Sequence, residues 1–199
     1  ISEDTKRSLH EVFQYWKGKT TSELATSYMA PQTLIAIEHN MFTPGNYFYN
    51  GVGHVTVSYD KVLRIGYEGI IQEAQAALDQ MSLGDAEYSK KSQFLQAVMI
   101  SCQAAIQYAY RYSELAAREA EQCTDSVPRA ELIQISQNCA KVPAKGATSF
   151  YEACQSFWFV QMLLQIESNG HSISPGRFDQ YMYPYYKKDL DSGRITREF

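Results

Sequence analysis

Several things are missing from this 199-residue chain, and each absence removes a class of protein. The four cysteines, Cys102, Cys123, Cys139 and Cys154, include no Cys-x-x-Cys pair, so neither a zinc ribbon nor a thioredoxin-type redox centre is encoded. Free thiols in a cytosolic chain are the plain reading. No stripe of basic residues occurs: 18 Lys and Arg against 22 Asp and Glu leave a net charge of -4, which argues against nucleic-acid binding driven by counterion release. Long apolar runs are absent too. The richest, residues 150–166, is interrupted by Glu152, Gln155, Gln161 and Gln165, where a membrane span needs about 20 mostly apolar residues. Nothing at the start has the basic-then-apolar pattern of an export signal. No Gly-x-Ser-x-Gly elbow is present, and adjacent His171 and Ser172 are poorly placed to face each other for proton transfer, which disfavours a serine hydrolase. His10, His39, His54 and His171 form no His-x-x-x-His or His-Glu-x-x-His pair, so no metal site is expected.

What is present is a globular composition, 45% hydrophobic and 13% aromatic with 15 Tyr, on a length suited to about one domain. Helical periodicity dominates. Leu95, Val98, Met99, Cys102, Ala105, Ile106, Ala109, Tyr112, Ala116 and Cys123 draw one apolar stripe through residues 87–123, a helix of roughly 50 Å. A second stripe, Val62, Leu63, Gly66, Ile70, Ala74, Ala77, Leu78 and Met81, predicts a helix over residues 59–81 that stops at Ser82-Leu83-Gly84-Asp85. A shorter helix is expected over 128–139, with Pro128 near its first turn. The segment 149–167 is apolar nearly all round, so burial on all sides is expected. Residues 22–37 suggest one more helix, kinked or split at Pro31. The chain opens on Ile1 rather than Met, and 195–199 (ITREF) reads as the opening of another helix, so a piece of a longer protein is expected.

Two segments break the helical pattern, each with a histidine beside glycine: 43–58 (TPGNYFYNGVGHVTVS) and 168–180 (SNGHSISPGRFDQ). Gly45, Gly51 and Gly53 mark tight bends or close approach to a ligand. His54 precedes the alternating Val55-Thr56-Val57 and projects from a short strand, either as a ligand or proton-transfer group or as a solvated turn residue. His171, among Asn169, Gly170, Ser172 and Ser174, suits a polyhydroxylated or carboxylated ligand and equally an Asx-type turn. The aromatic string 177–186 (RFDQYMYPYY) reads as a packing and capping element, with Arg177 and Asp179 tying down loop backbone. Cys102 and Cys154, on apolar helical faces, read as small core residues rather than nucleophiles.

At the strings 11–29 (EVFQYWKGKTTSELATSYM), 45–57 (GNYFYNGVGHVTV), 61–73 (KVLRIGYEGIIQE) and 150–186, which contains ESNGHSISPGRFDQYMYPYY, the sequence resembles the glycyl radical enzymes of the pyruvate formate-lyase-like superfamily. It is most similar to their cobalamin-independent glycerol and 1,2-propanediol dehydratases. The likeness runs over residues 1–199 as a partial pyruvate formate-lyase-type domain, an N-terminal portion of a protein several times longer. The resemblance implies a mainly α fold, the helical N-terminal portion of a larger α/β ten-stranded barrel. Taken alone, such a piece would expose apolar surface meant for that barrel.

The activity the resemblance implies is elimination of water from a vicinal diol to give an aldehyde, through a cysteine thiyl radical generated by a stored glycyl radical. It assigns His54, His171 and Ser172 to the diol pocket, with His54 as the acid that helps the C2 hydroxyl leave and His171 and Ser172 holding substrate hydroxyls. The family's Gly-Cys-x-Glu and Arg-Val-x-Gly-Tyr strings are absent from these residues, so no cysteine here takes the thiyl role and the segment alone is expected to be inert. No cofactor is expected on this segment. The parent would carry a glycyl radical installed by an S-adenosylmethionine-dependent activating enzyme, act as a homodimer on a small diol, and work in an anaerobic cytoplasm or a bacterial microcompartment, with no nucleic-acid or membrane partner. Two rival readings stand beside this one: a choline-type carbon–nitrogen lyase, against which His54 speaks because a charged imidazole repels a quaternary ammonium, and a noncatalytic helical module.

Overall fold

The computed structural model describes residues 1–45, 54–168 and 170–198. Along these the chain forms α1 (Glu3–Trp16), α2 (Thr21–Ser27), α3 (Pro31–Glu38), β1 (Val55–Thr56), α4 (Tyr59–Asp79), α5 (Tyr88–Gln122), α6 (Ser126–Lys141), α7 (Phe150–Glu167), β2 (Ile173–Ser174) and α8 (Phe178–Asp191). The fold is mainly α, and β1 pairs with β2 in a two-stranded sheet. Two compact units share the chain: Ile1–Val55 with Gln165–Ile173, and Thr56–Leu164 with Ser174–Phe199.

In the first unit, Ser2 caps α1 by accepting the Thr5 N–H at 3.2 Å, and Glu3 and Asp4 sit at the positive end of the helix. Leu9, Val12, Phe13 and Trp16 make an apolar stripe on α1, a helix additional to those the periodicity marked. Thr20 and Glu23 form a reciprocal capping box at α2. The expected helix over 22–37 is split in two, because Pro31 lacks an N–H and takes the first position of α3 instead. None of α1–α3 buries a residue fully, and Phe13 and Trp16 remain half or more exposed.

The second unit is built around α4, α5, α6 and α7. The long helix expected over 87–123 is α5, whose buried face is largely small (Cys102, Ala105, Ala109, Ala116, Ala120) and so allows close helix approach. Asp125, three residues before Pro128, caps α6 through the Val127 N–H at 3.1 Å, and Ser113 Oγ on α5 donates to the Ser136 carbonyl at 2.8 Å. Tyr59, Val62 and Val160 form one core cluster, Leu63, Ala153 and Met182 a second, and Ala109, Cys139 and Phe159 a third. Within these residues α7 buries Ala153, Ser156, Phe159 and Val160 and leaves Trp158 57% and Ile166 60% exposed.

The continuous helix expected over 59–81 is interrupted. Gly66 takes φ 66°, ψ 177°, and α4 breaks there. In an unbroken helix the Tyr67 N–H would bond the Leu63 carbonyl; here Tyr67 N–H donates to Pro143 O (2.8 Å), Glu68 N–H to Ala144 O (2.9 Å), and Leu63 O accepts from Ala147 N–H (2.8 Å). The loop after α6 therefore takes over the backbone bonds that the break releases. Two glycines allow the approach: a Cβ on Gly66 would lie 2.6 Å from Lys145 Cα, and one on Gly146 would lie 2.9 Å from the Arg64 carbonyl carbon. By contrast, α4 ends at Asp79 with Gln80 as cap, so Gly84 is not its terminating residue.

The start of α7 is held three ways. Ser149 Oγ accepts the Glu152 N–H (3.2 Å), Glu152 accepts the Thr148 N–H (2.7 Å), and Asp189 Oδ2 accepts the Phe150 N–H (2.7 Å). Asp189 is 1% exposed and pairs with Arg194 at 2.6 Å. The string 177–186 proves helical as α8, with Pro184 inside it; Arg177 and Asp179 pair with each other at 3.2 Å. Residues 195–198 do not continue as the helix expected from 195–199.

Two predictions follow from these contacts. Gly66→Ala and Gly146→Ala each lower unfolding stability by about 2–3 kcal/mol in urea titrations, whereas Gly84→Ala, with only Ser82 Oγ at 3.6 Å, stays within about 0.5 kcal/mol. Burial alone pushes Glu152 up, but hydrogen bonds from Lys141 (2.7 and 2.8 Å) and Thr148 outweigh it and hold the carboxyl below the usual range. A carboxyl lowered in the folded state stabilises above its unfolded pKa, about 4.3, and that contribution is lost as pH falls through its folded value. Melting curves from pH 7 downward should show Glu152→Gln starting lower and converging on the wild type under acid.

Candidate functional site

The first unit brings two of the sequence-marked segments together. After helix α7 the Gly170 N–H donates to the Gln165 carbonyl at 2.7 Å, and Gly170 has φ 76°. His171 follows, then Ser172 with φ 51°, a left-handed conformation that L residues other than Gly, Asn and Asp rarely adopt. This reversal aims the Ser172 carbonyl at Val55, whose N–H donates to it at 3.2 Å. His54 is the residue before Val55, so this bond, together with the pairing of β1 and β2, joins the two histidine segments.

The result is a pair of imidazoles from residues 117 positions apart in sequence, with ring centroids 5.6 Å apart at 70°, edge to face. His54 is exposed, while His171 and Ser172 are half-buried. Two imidazoles and a hydroxyl-bearing residue can donate and accept hydrogen bonds in several combinations, which suits a ligand with neighbouring hydroxyl groups. His54 is open to such a ligand, and His171 and Ser172 are held by their backbone. The Gly45 end of the first irregular segment is described, but Gly51, Gly53 and the rest of 46–53, with Asn169, lie outside the described residues.

The remaining candidates go elsewhere. His10 lies on α1 and His39 just after α3, both exposed, and among the described residues no group of three or more His, Cys, Asp and Glu side chains converges. Cys102 and Cys139 are buried and Cys123 and Cys154 half-buried, all as free thiols. Burial pushes the Cys102 and Cys154 thiols up, and Cys139 to about 11, so they stay protonated at neutral pH. No described helix is long and apolar enough to cross a membrane. Two contributors carry no side-chain signal: the Val55 N–H and the left-handed turn at Ser172. Only Gly170, next to His171, hints at the reversal.

A protein from Roseburia inulinivorans, solved in work on 1,2-propanediol dehydration, is 61% identical and superimposes with a TM-score of 0.83, matching 100% of this chain and 24% of its own. The B12-independent glycerol dehydratase of Clostridium butyricum, solved with glycerol bound, is 55% identical with a TM-score of 0.80, over 98% of this chain and 25% of its own. The (2S)-3-sulfopropanediol dehydratase of Klebsiella oxytoca is 36% identical over 100% of this chain and 24% of its own. The chain thus spans about a quarter of the length of these relatives. With the family profile described as Pyruvate formate lyase-like matching residues 1–199, the chain belongs to that family, alongside glycyl radical dehydratases.

Proposed function

We propose that this chain is the N-terminal portion of a glycyl radical dehydratase that removes water from a small uncharged vicinal diol, glycerol or 1,2-propanediol, leaving an aldehyde. The observation that carries this reading is the His54–His171 pair, 5.6 Å between ring centroids, with Ser172 beside it on bonded backbone. Identities of 61% and 55% to the propanediol and glycerol proteins, against 36% to a dehydratase of a sulfonated diol, support an uncharged substrate.

A protein glycyl radical, acting through a cysteine outside these residues, would supply abstraction of a hydrogen atom from C1 of the diol. The cysteines of this chain do not fit that relay: none stands in a Gly-Cys-x-Glu string, Cys102, Cys139 and Cys154 lie within helices, and Cys123 follows directly on α5. The pocket residues fit the diol. His171 and Ser172 hold the two hydroxyls, fixing which carbon faces the radical source. As the C2–O bond breaks, His54 protonates the departing hydroxyl, which leaves as water instead of hydroxide. The C1 hydroxyl gives up its proton as it becomes a carbonyl, which balances the proton spent by His54, and the hydrogen atom is returned to carbon at the end of the cycle. An S-adenosylmethionine-dependent activating enzyme, a homodimeric parent and an anaerobic cytoplasm accompany this reading.

The test is anaerobic activation of the full-length protein, followed by an aldehyde assay with glycerol and with 1,2-propanediol. His54→Ala should lower kcat by about 10²–10⁴-fold, the usual worth of a positioned acid, with the glycyl radical EPR signal unchanged. An activated protein that ignores diols and cleaves choline, or a His54→Ala variant with wild-type kcat, overturns the reading.

A further inference from the structure

His54 and His171 lie in the same compact unit, and the spacing of their rings has a second chemical use. Neutral imidazole binds divalent transition-metal ions through a ring nitrogen, at metal–nitrogen distances of about 2.0–2.1 Å. Two imidazoles on one such ion place their ring centroids roughly 5–5.5 Å apart, for angles at the metal between tetrahedral and trigonal. The two centroids here are 5.6 Å apart, with the ring planes inclined by 70°. His54 is exposed, so rotation about its side-chain torsions can aim a nitrogen at a shared ion without moving the backbone. That backbone is tied across the pair by the Val55 N–H on the Ser172 carbonyl at 3.2 Å. The donor set also selects the kind of ion. Among the described residues no Asp, Glu or Cys joins the two imidazoles in a group of three, so the pair offers neutral nitrogens, with the Ser172 hydroxyl on the next residue. Imidazole suits Zn²⁺, Ni²⁺ and Cu²⁺, whereas Mg²⁺ and Ca²⁺ take oxygen ligands, carboxylates above all.

We propose that His54 and His171 form a bidentate site for a late first-row transition-metal ion such as Ni²⁺ or Zn²⁺, with water completing the coordination. The expectation that the histidines hold no metal rested on spacing along the chain, and metal motifs of that sort are local. Residues 54 and 171 are distant in sequence and meet only in the fold. An ion on the pair occupies the nitrogens that would otherwise meet the diol, so it inhibits in competition with substrate. The inhibition rests on the dehydratase reading above; the metal site does not.

Calorimetric titration of the full-length, unactivated protein with NiCl₂ is the test. A Ni²⁺ site present in the wild type should weaken about 10²-fold in His54→Ala and in His171→Ala, because a chelate loses its second point of attachment. His54→Ala, at an exposed position, decides the matter should His171→Ala unsettle its loop. The site should be unchanged in His10→Ala and His39→Ala, which remove the exposed imidazoles on α1 and after α3. Affinity should fall from Ni²⁺ through Co²⁺ to Mn²⁺, with no binding of Mg²⁺ at the same concentrations. In the activated enzyme Ni²⁺ should raise the apparent KM for the diol and leave kcat unchanged. The absence of any Ni²⁺ site, a site that survives His54→Ala, or Mg²⁺ bound as tightly as Ni²⁺ overturns the proposal. So does inhibition that lowers kcat at unchanged KM, which puts the ion away from the pair. Binding that responds as expected in a protein without diol dehydratase activity upholds the metal site and sinks the assigned reaction.

Discussion

The exchange of backbone hydrogen bonds between α4 and the loop after α6 is the constraint on which the second unit depends. An α-helix broken in its interior leaves polar groups that burial makes expensive, on the order of 1–3 kcal/mol each when unpaired. Here the break at Gly66 is complemented by residues 143–147, which supply two carbonyls and one N–H in register. Leu63 and Gly66 are both buried at this crossing, and Leu63 packs with Ala153 of α7 and Met182 of α8. Ala147 leads within three residues into α7. A shift at the crossing would therefore be felt at the start of α7.

That dependence explains why so much polar bonding converges at the beginning of α7. Helix N-termini present N–H groups without intrahelical partners, and an apolar helix such as α7 has few side chains of its own to answer them. Ser149 and Glu152 do so locally. Asp189, from the last turn of α8, does so from a distance of 39 residues, while Arg194 balances its charge. A buried carboxylate paired in this way contributes little net stability but is strongly destabilising when its partner is lost, so it selects one arrangement of α7 and α8 over near alternatives.

The amphipathic helices were legible in the sequence because their stripes report burial directly: α5 and α6 fall within two residues of the expected spans at either end. The break in α4 was not legible, since Gly66 sits at a stripe position and its partners lie nearly 80 residues away. The aromatic string 177–186 concealed α8 because Pro184 and β-favouring tyrosines weaken the helical pattern, while contacts of Tyr181, Met182 and Tyr185 with core clusters override propensity. Of the site, His54, His171 and Ser172 were marked by their irregular, glycine-bearing surroundings and by family resemblance. Their convergence was not, because it depends on the pairing of β1 with β2 and on a left-handed serine.

That serine is informative for a physical reason. At φ 51°, a glycine would meet no Cβ penalty, whereas serine carries about 1–2 kcal/mol of local strain. Two residues earlier, Gly170 occupies a comparable conformation with no side chain at all. The loop therefore uses glycine where only the backbone matters and a hydroxyl-bearing residue where the backbone alone would be better served without one. Strain of this kind persists when the side chain does something that glycine cannot. Next to His171, a hydroxyl that both donates and accepts hydrogen bonds is the capacity that serine has and glycine lacks.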